Sequence, residues 1–306
     1  MKLFYYFNYL ALKLTPRFLL NMKKRKLERK FENSKQYVAH RVAYYLKHKN
    51  EFDLSSRATS IAGFKHRGQS QYVIDLMSVM AYFPSHFRFR YHFGDETHIE
   101  DEPTLFKARP IDGDNQNSVL MKLVKYRHFR FVEDSLSFGE KQDVAVFRGA
   151  VTQPHRIEFM QRMFGHPLVD AGQSNPSSGN PEWQQPFMSV QDQLKNKFII
   201  CLEGNDVASN LKWAMSSNSV VVTPKMKFET WFMEGTLQPG VHYIEVADDW
   251  SDFEEKIQYY LDHPEEAEDI VKHAHEYIAP FRDEELEQLI SIKTLERYFE
   301  LSGQVK

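Results

Sequence analysis

Between Lys197 and Pro224 the chain reads KFIICLEGNDVASNLKWAMSSNSVVVTP, and this stretch restricts the fold more than any other. KFIIC and SVVV are continuous apolar runs without polar alternation, the pattern of strands buried on both faces. Between them lie a polar turn containing Gly204 and an amphipathic helical segment. Strand, helix and strand at this spacing make a βαβ unit with parallel strands. Upstream, DVAVFRGAVTQPHRIEFMQRMFG reads as strand, turn and helix, and HPLVDAG as a short strand. Downstream, HYIEVA is a further strand before C-terminal helices. The fold class is α/β, with a parallel sheet in the second half of the chain.

Length and composition set the outer bounds. With 306 residues, 42% of them apolar and 14% aromatic, there is core enough for one large or two ordinary domains. Because the strand-helix alternation begins at Lys141, a boundary is expected near residue 140. The formal charge of -3 provides no general attraction for nucleic acid, so no such partner is expected. Cys201, the single cysteine, stands in an apolar run. No disulfide within the chain is possible, a reducing compartment is expected, and a buried structural thiol is favoured over a nucleophile.

The N-terminus is the strongly polarised region. MKLFYYFNYLALKLTPRFLLNMKKRKLERKF mixes aromatic and aliphatic residues with a basic cluster from Lys23 to Lys30. A spanning helix needs about 20 predominantly apolar residues, and Asn8, Lys13 and Arg17 interrupt this one. A secretory signal would need a cleaner apolar core and a small-residue cleavage site. Residues 1–31 therefore read either as an interfacial helix, with Phe4, Tyr5 and Phe7 near lipid headgroups and its basic residues on anionic lipid, or as a surface helix packed on its own domain.

Two polar strand ends carry the chemistry. In FRGAVTQPHR, Arg148 and Gly149 end a strand while Thr152 and Arg156 frame the next helix. Glycine lets a ligand approach the backbone, and arginines at the carboxyl edge of a parallel sheet suit phosphate oxygens. In EGNDVASNLKWAM, Asn205, Asp206 and Ser209 are expected at the helix start, with Asn210 beside them and Lys212 about two turns in. The plainer readings are Thr152 or Asp206 as helix caps, the arginines as surface ion pairs and Lys212 as a solvated helix residue. In KFETWFMEGTLQPGVHYIEV, Glu229 and Trp231 follow the second buried strand and are expected at the same sheet edge.

Taken together, FRGAVTQPHR, EGNDVASNLKWAMSSNSVVV and LQPGVHYIEV resemble glycosyltransferase family 90, over roughly residues 60 to 285. That family includes bacterial lipopolysaccharide core glycosyltransferases, capsule xylosyltransferases and protein O-glucosyltransferases. The resemblance implies a GT-B architecture: two Rossmann-like halves with the active site in the cleft between them, a nucleotide-sugar donor on the C-terminal half, and inversion at the anomeric carbon. It carries Arg148, Gly149, Thr152, Arg156, Ser209, Asn210 and Lys212 onto the donor side, and Glu229, expected at the same sheet edge, is placed with them. Asn210 departs from the pattern, since animal members have an arginine there. On this scheme residues 1–31 are a membrane-surface segment, 32–140 the acceptor-side domain, 141–285 the nucleotide-sugar domain and 286–306 a C-terminal helix.

Inverting transfer needs a base on the acceptor hydroxyl. In YHFGDETHIEDEP, Asp95 follows a strand and a glycine, and the resemblance favours it for that role; the alternative is a turn residue in a solvated acidic loop. Lys107 and Arg109 either face an anionic acceptor or pair with that loop. Asp112-Gly-Asp114 is read as a turn. No HExxH, paired CxxC or clustered histidine spacing appears, so no metal or other cofactor is expected. P-loop and GxSxG patterns are also missing. The expected protein is a cytoplasmic hexosyltransferase, peripheral at the inner face of the inner membrane, which moves a hexose from a UDP-sugar to lipopolysaccharide core. A protein or capsule acceptor, or a non-catalytic sugar-nucleotide or glycan-binding module, is the alternative.

Overall fold

The computed structural model describes residues 9, 11, 12, 14–175 and 180–305; Phe4, Tyr5 and Phe7 lie outside them. The chain forms two compact units. The first comprises Met1–Arg127, Phe228–Phe232 and Pro280–Lys306, and the second His128–Lys227 and Met233–Ala279. The change of unit falls at Arg127, ahead of the expected position near 140, and two later segments return to the first unit.

In the first unit, β1 (Thr59–Ser60) pairs antiparallel with β2 (Arg88–Phe89), and β3 (Thr104–Phe106) parallel with β5 (Ser118–Leu120). Strand β4 (Ala108–Pro110) pairs antiparallel with β10 (Phe228–Thr230). Among the described residues no sheet of this unit is wider than two strands, where the family resemblance implied a Rossmann-like half. HFRFRYHF contributes only Arg88–Phe89 and an isolated bridge from Tyr91 to Leu105. Its alternate aromatic residues, Phe89, Tyr91 and Phe93, pack against Phe64 in an aromatic cluster.

Among the described residues, the long helices of this unit are α1 (Arg17–Lys30), α2 (Lys35–Tyr45), α3 (Ser70–Met80) and α8 (Glu284–Leu301). Leu20 and Leu27, seven residues apart and so on one face of α1, are buried. Lys24 pairs with Glu296 of α8, and Lys293 of α8 with Glu28 at 2.6 Å. The opposite face exposes Phe18 and Met22, 63% and 62% accessible, beside exposed Arg25, Lys26 and Arg29. Helix α1 thus packs on its own unit with one side and presents a mixed apolar and basic stripe with the other.

The second unit holds β6 (Gln142–Gly149), β7 (Val169–Gln173), β8 (Asn196–Ile200), β9 (Val220–Pro224) and β11 (Ile244–Val246). They form one five-stranded sheet in the order β11-β9-β8-β6-β7. Every pairing is parallel. Helices α4 (Pro154–Met163), α5 (Leu211–Met215), α6 (Phe253–Asp262) and α7 (Pro264–Ile278) complete the unit. Phe159 of α4 meets Phe147 of β6 edge-on, with ring centres 5.1 Å apart. Phe198, Val222, Phe253 and Ile257 extend the same core. Each such side chain contributes about 1.5–3 kcal/mol by leaving water, so the sheet holds its loops on a rigid base.

Among the described residues no helix is long and apolar enough to cross a membrane.

Candidate functional site

The strand order decides where a ligand belongs. From β6 the chain goes to β7 on one side, then crosses to β8 on the other. The loops leaving β6 and β8 therefore diverge, and in open α/β sheets ligands bind at this reversal, outside the carboxyl ends of the strands. Arg156, in the first turn of α4, spans the two loops. Its Nη1 donates to the Ala150 carbonyl at 2.8 Å, Nη2 to Leu202 at 2.6 Å and Nε to Glu203 at 2.8 Å. These acceptors carry no net charge. Burial lowers the guanidinium from its ordinary value, yet an arginine starts so high that it remains a cation.

Glycines flank this group. A Cβ on Gly149 would lie 3.7 Å from Arg156 Nη1, and one on Gly204 3.5 Å from Nη2. At Gly149 it would also come within 2.9 Å of the Phe147 ring. Glycine thus leaves room for Phe147 and keeps the guanidinium edge uncovered. Thr152 is exposed, and Gln153 rather than Thr152 is the N-cap position of α4. Gln153 reaches across to the Asn205 side chain at 3.1 Å, and the His155 ring bonds the Glu203 carbonyl at 2.8 Å.

Other expected donor-side residues are placed differently. The Arg148 guanidinium bonds Asp170 on β7 at 2.7 Å and the Asp170 and Phe147 carbonyls, so its charge is matched by a carboxylate. Helix α5 begins at Leu211 instead of directly after Asp206. A turn in which the Gly204 N–H donates to the Asp206 carbonyl at 2.8 Å holds the intervening loop. Asn210 is the N-cap position and donates its amide to the Ile200 carbonyl at 3.0 Å, while Ser209 is exposed. Lys212 is fully buried and pairs with Glu234 at 2.5 Å, near the Phe129 ring. A helix residue expected at a ligand site is instead half of an enclosed ion pair. Burial pushes the Cys201 thiol up, which keeps it protonated and unreactive.

In the first unit the Asp95 carboxylate pairs with the buried Lys107 ammonium. It also accepts from the Tyr72 hydroxyl at 3.2 Å and has Arg127 at 3.7 Å. Burial pushes the carboxyl up, but the Lys107 bond and charge, with Arg127 and Tyr72, outweigh it and hold Asp95 below the usual carboxylate range. Gly94, at φ +133°, makes the turn into Asp95 in a conformation that side chains resist. Tyr72 and Arg127 lie far from Asp95 in sequence, and nothing in their local pattern signals this meeting.

Arg109 and Glu229 depart furthest from expectation. Both are buried, and Arg109 Nε donates to Glu229 at 2.7 Å across the β4–β10 pair. Arg109 also donates to the carbonyls of Tyr44, Tyr45 and Ser118, and Tyr44 donates its hydroxyl to Glu229. Glu229 was expected beside the second-unit strand ends; residues Phe228–Phe232 instead belong to the first unit. Asp112–Asn117 forms a turn, with Gly113 at φ +85°. The sequence offered no metal motif, yet ligand atoms of His92, Glu96 and His98 come within 4.8 Å of one another. The spacing HxxxExH was the available signal, on a loop where a search for helical motifs does not look.

Comparison with known proteins places these features in a family. The description of glycosyl transferase family 90 matches residues 120–298. O-glucosyltransferase LpsA of Dichelobacter nodosus is 41% identical over 264 residues, 86% of this chain and 83% of that protein. Protein O-glucosyltransferase 2 of Danio rerio is 39% identical over 84 residues, 27% of this chain and 16% of that protein. The uncharacterized protein 027R of Frog virus 3 is 28% identical over 149 residues, 47% of this chain and 15% of that protein. With more than half the chain inside the family match and a relative of this identity aligned over most of both lengths, the chain belongs to glycosyl transferase family 90 and is a glycosyltransferase.

Proposed function

We propose that the protein transfers a hexose from a UDP-sugar to lipopolysaccharide or lipooligosaccharide core, with inversion. One observation carries the donor assignment: Arg156 ties the loops after β6 and β8 through neutral carbonyls and keeps its positive charge at the sheet's switch point. A diphosphate is the ligand class that such a cation, with glycines at its flanks, suits best. Gly149, Thr152, Arg156 and Ser209 are then donor-side residues. Arg148 and Lys212, matched by Asp170 and Glu234, and Asn210, bonded to β8, shape the loops from behind. The GT-B arrangement is the finer part of this reading, supported by the parallel, doubly wound strand order of the second unit.

Asp95 is the proposed base. Its depressed pKa keeps the carboxylate ionised at neutral pH, so it can take the proton of the acceptor hydroxyl. The acceptor oxygen forms its bond to the anomeric carbon as the bond from that carbon to the phosphate oxygen breaks, and the electron pair leaves with UDP. Lys107 orients Asp95, and Arg109 with Glu229 braces the strand that carries Lys107. Helix α1 is the proposed membrane contact, through Phe18 and Met22 with Arg25, Lys26 and Arg29, at the cytoplasmic face of the inner membrane.

Glucosyl transfer draws support from the Dichelobacter nodosus relative, an O-glucosyltransferase aligned over most of both chains, and the core acceptor from the motif resemblance to lipopolysaccharide core glycosyltransferases. A panel of UDP-sugars with delipidated core oligosaccharide, a capsule oligosaccharide and a peptide acceptor tests it. The reading expects one UDP-hexose to be consumed with the core acceptor. Transfer to the peptide or capsule acceptor alone overturns the acceptor class, and turnover only with another nucleotide base overturns the donor.

A further inference from the structure

The loop that carries Asp95 has a second cluster whose members point their ligating atoms at one another. His92, Glu96 and His98 each offer one ligand atom, all within 4.8 Å. Glu100 bonds His98 Nε2 at 3.2 Å. A carboxylate can only accept, so Nε2 is the donor in this bond. The Nδ1 of the same ring faces Glu96 Oε2 at 3.7 Å. An imidazole nitrogen and a carboxylate oxygen at this separation are donors that one ion can share. Ligand atoms held at about 2.0–2.2 Å from a tetrahedral ion stand a little over 3 Å apart, so a small side-chain adjustment closes the gap. Both residues are about half exposed and free to make it.

The neighbours support the same arrangement. The His92 ring lies edge-on to His98 at 4.5 Å and stacks on Phe106, which holds it toward the cluster. Glu100 is engaged by Arg57 and Arg90, each at 3.6 Å. Its charge is already shared, which suits it to orient His98 from outside the ligand set.

We propose that His92, Glu96 and His98 form a divalent-cation site for zinc or an ion of similar preference, with Glu100 as the orienting partner of His98. Two imidazoles and one carboxylate are the donors that zinc accepts, and water completes the coordination on the open side. Because Asp95 lies between His92 and Glu96 in the chain, a bound ion fixes the backbone on both sides of it. Nothing in the site depends on the donor or acceptor identity, so its test stands apart from the proposed reaction.

The untagged, chelator-treated protein is titrated with zinc by calorimetry, and then with cobalt while visible absorption is recorded. One equivalent should bind, with the cobalt bands of a low-coordinate nitrogen and oxygen site. His98→Ala and His92→Ala should each lower affinity at least tenfold, Glu100→Gln by about 10–100-fold, and His86→Ala, at an exposed histidine outside the cluster, should leave it unchanged. Circular dichroism checks folding, and exposed His98 is the substitution least able to disturb it. Absence of saturable binding overturns the site, as does binding that survives His98→Ala. A proton-only pair, seen as an NMR titration of His98 against Glu96 that zinc does not shift, overturns it equally.

Discussion

The switch point of the second unit and the Asp95 pocket of the first both gather cations, yet they settle charge in opposite ways. Arg156 gives its three bonds to carbonyl oxygens alone, whereas Lys107 pairs with Asp95, and Arg109, although it also bonds three carbonyls, is matched by the Glu229 carboxylate. A cation on neutral acceptors keeps its full charge for an incoming anion. A cation on a carboxylate has spent it, and serves geometry. The same contrast runs inside the second unit: Lys212, expected beside Arg156, is enclosed with Glu234 and has no charge left to offer. Partner identity, more than position on the sheet edge, separates binding residues from bracing ones.

The largest effect is expected on turnover. Asp95→Asn removes the proton acceptor while keeping size, so kcat should fall at least about a hundredfold, with UDP affinity nearly unchanged and the melting temperature lowered because buried Lys107 loses its carboxylate. Asp101→Asn, on an exposed side chain of the same acidic loop, should keep parental kcat. Retention of more than about a tenth of turnover by Asp95→Asn would remove it from the mechanism. The pair also sets a pH dependence. Since the folded pKa of Asp95 is depressed, its stabilising contribution is present above the unfolded carboxylate value and is lost as pH falls through the lower folded one. Lys107→Met should move the acid limb of the rate profile to higher pH. An unmoved limb would mean that Lys107 does not hold Asp95 in its ionised form.

Next is the enclosed pair. Lys212→Met leaves Glu234 buried and unmatched, which should cost about 3–5 kcal/mol of stability in denaturant unfolding. The double substitution with Glu234→Leu should recover part of it. If Lys212→Met instead unfolds like the parent but no longer binds UDP, the contrast with Arg156 collapses. Arg156→Ala should weaken UDP binding by about 1.5–3 kcal/mol, read by calorimetry, and Arg156→Lys should recover little because an ammonium cannot repeat the fork to three carbonyls. Parental affinity in both would move the donor site elsewhere. The smallest effects belong to α1. Arg25→Ala, Lys26→Ala and Arg29→Ala should each reduce binding to anionic vesicles by about 1 kcal/mol, with binding falling as salt rises. Since Leu20 and Leu27 anchor the helix, these substitutions probe its outer face without unpacking it. Vesicle binding indifferent to all three would leave α1 as a packing helix alone.

Much of the second unit was legible in the chain. The apolar runs KFIIC and SVVV became the adjacent parallel strands β8 and β9 because strands buried on both faces tolerate no polar alternation. FRGAVTQPHR put Arg156 at a helix start, and Pro154 at the first helical position is where α4 begins. Helix α5 was harder to place. GNDVASN contains several residues able to cap a helix, and only the turn from Gly204 to Asp206 decides that the helix waits until Leu211.

Local order thus determined which segments are strands and helices, where the glycines and charged residues fall along them, and that Asp95 follows a turn. These follow from near-neighbour sterics and from the period of apolar residues, which a single chain displays openly. The tertiary structure alone decided who meets whom. Glu229 joins Arg109 through a strand pair spanning more than a hundred residues, and Glu287 gathers Arg41, Lys122 and Trp231 in one buried network. A charge's role depends on its partner and on the loss of water around it, and both are set only when distant segments close on each other. Arg156 and Lys212 look alike as letters on two neighbouring helices, and packing gives one to carbonyls and the other to a carboxylate.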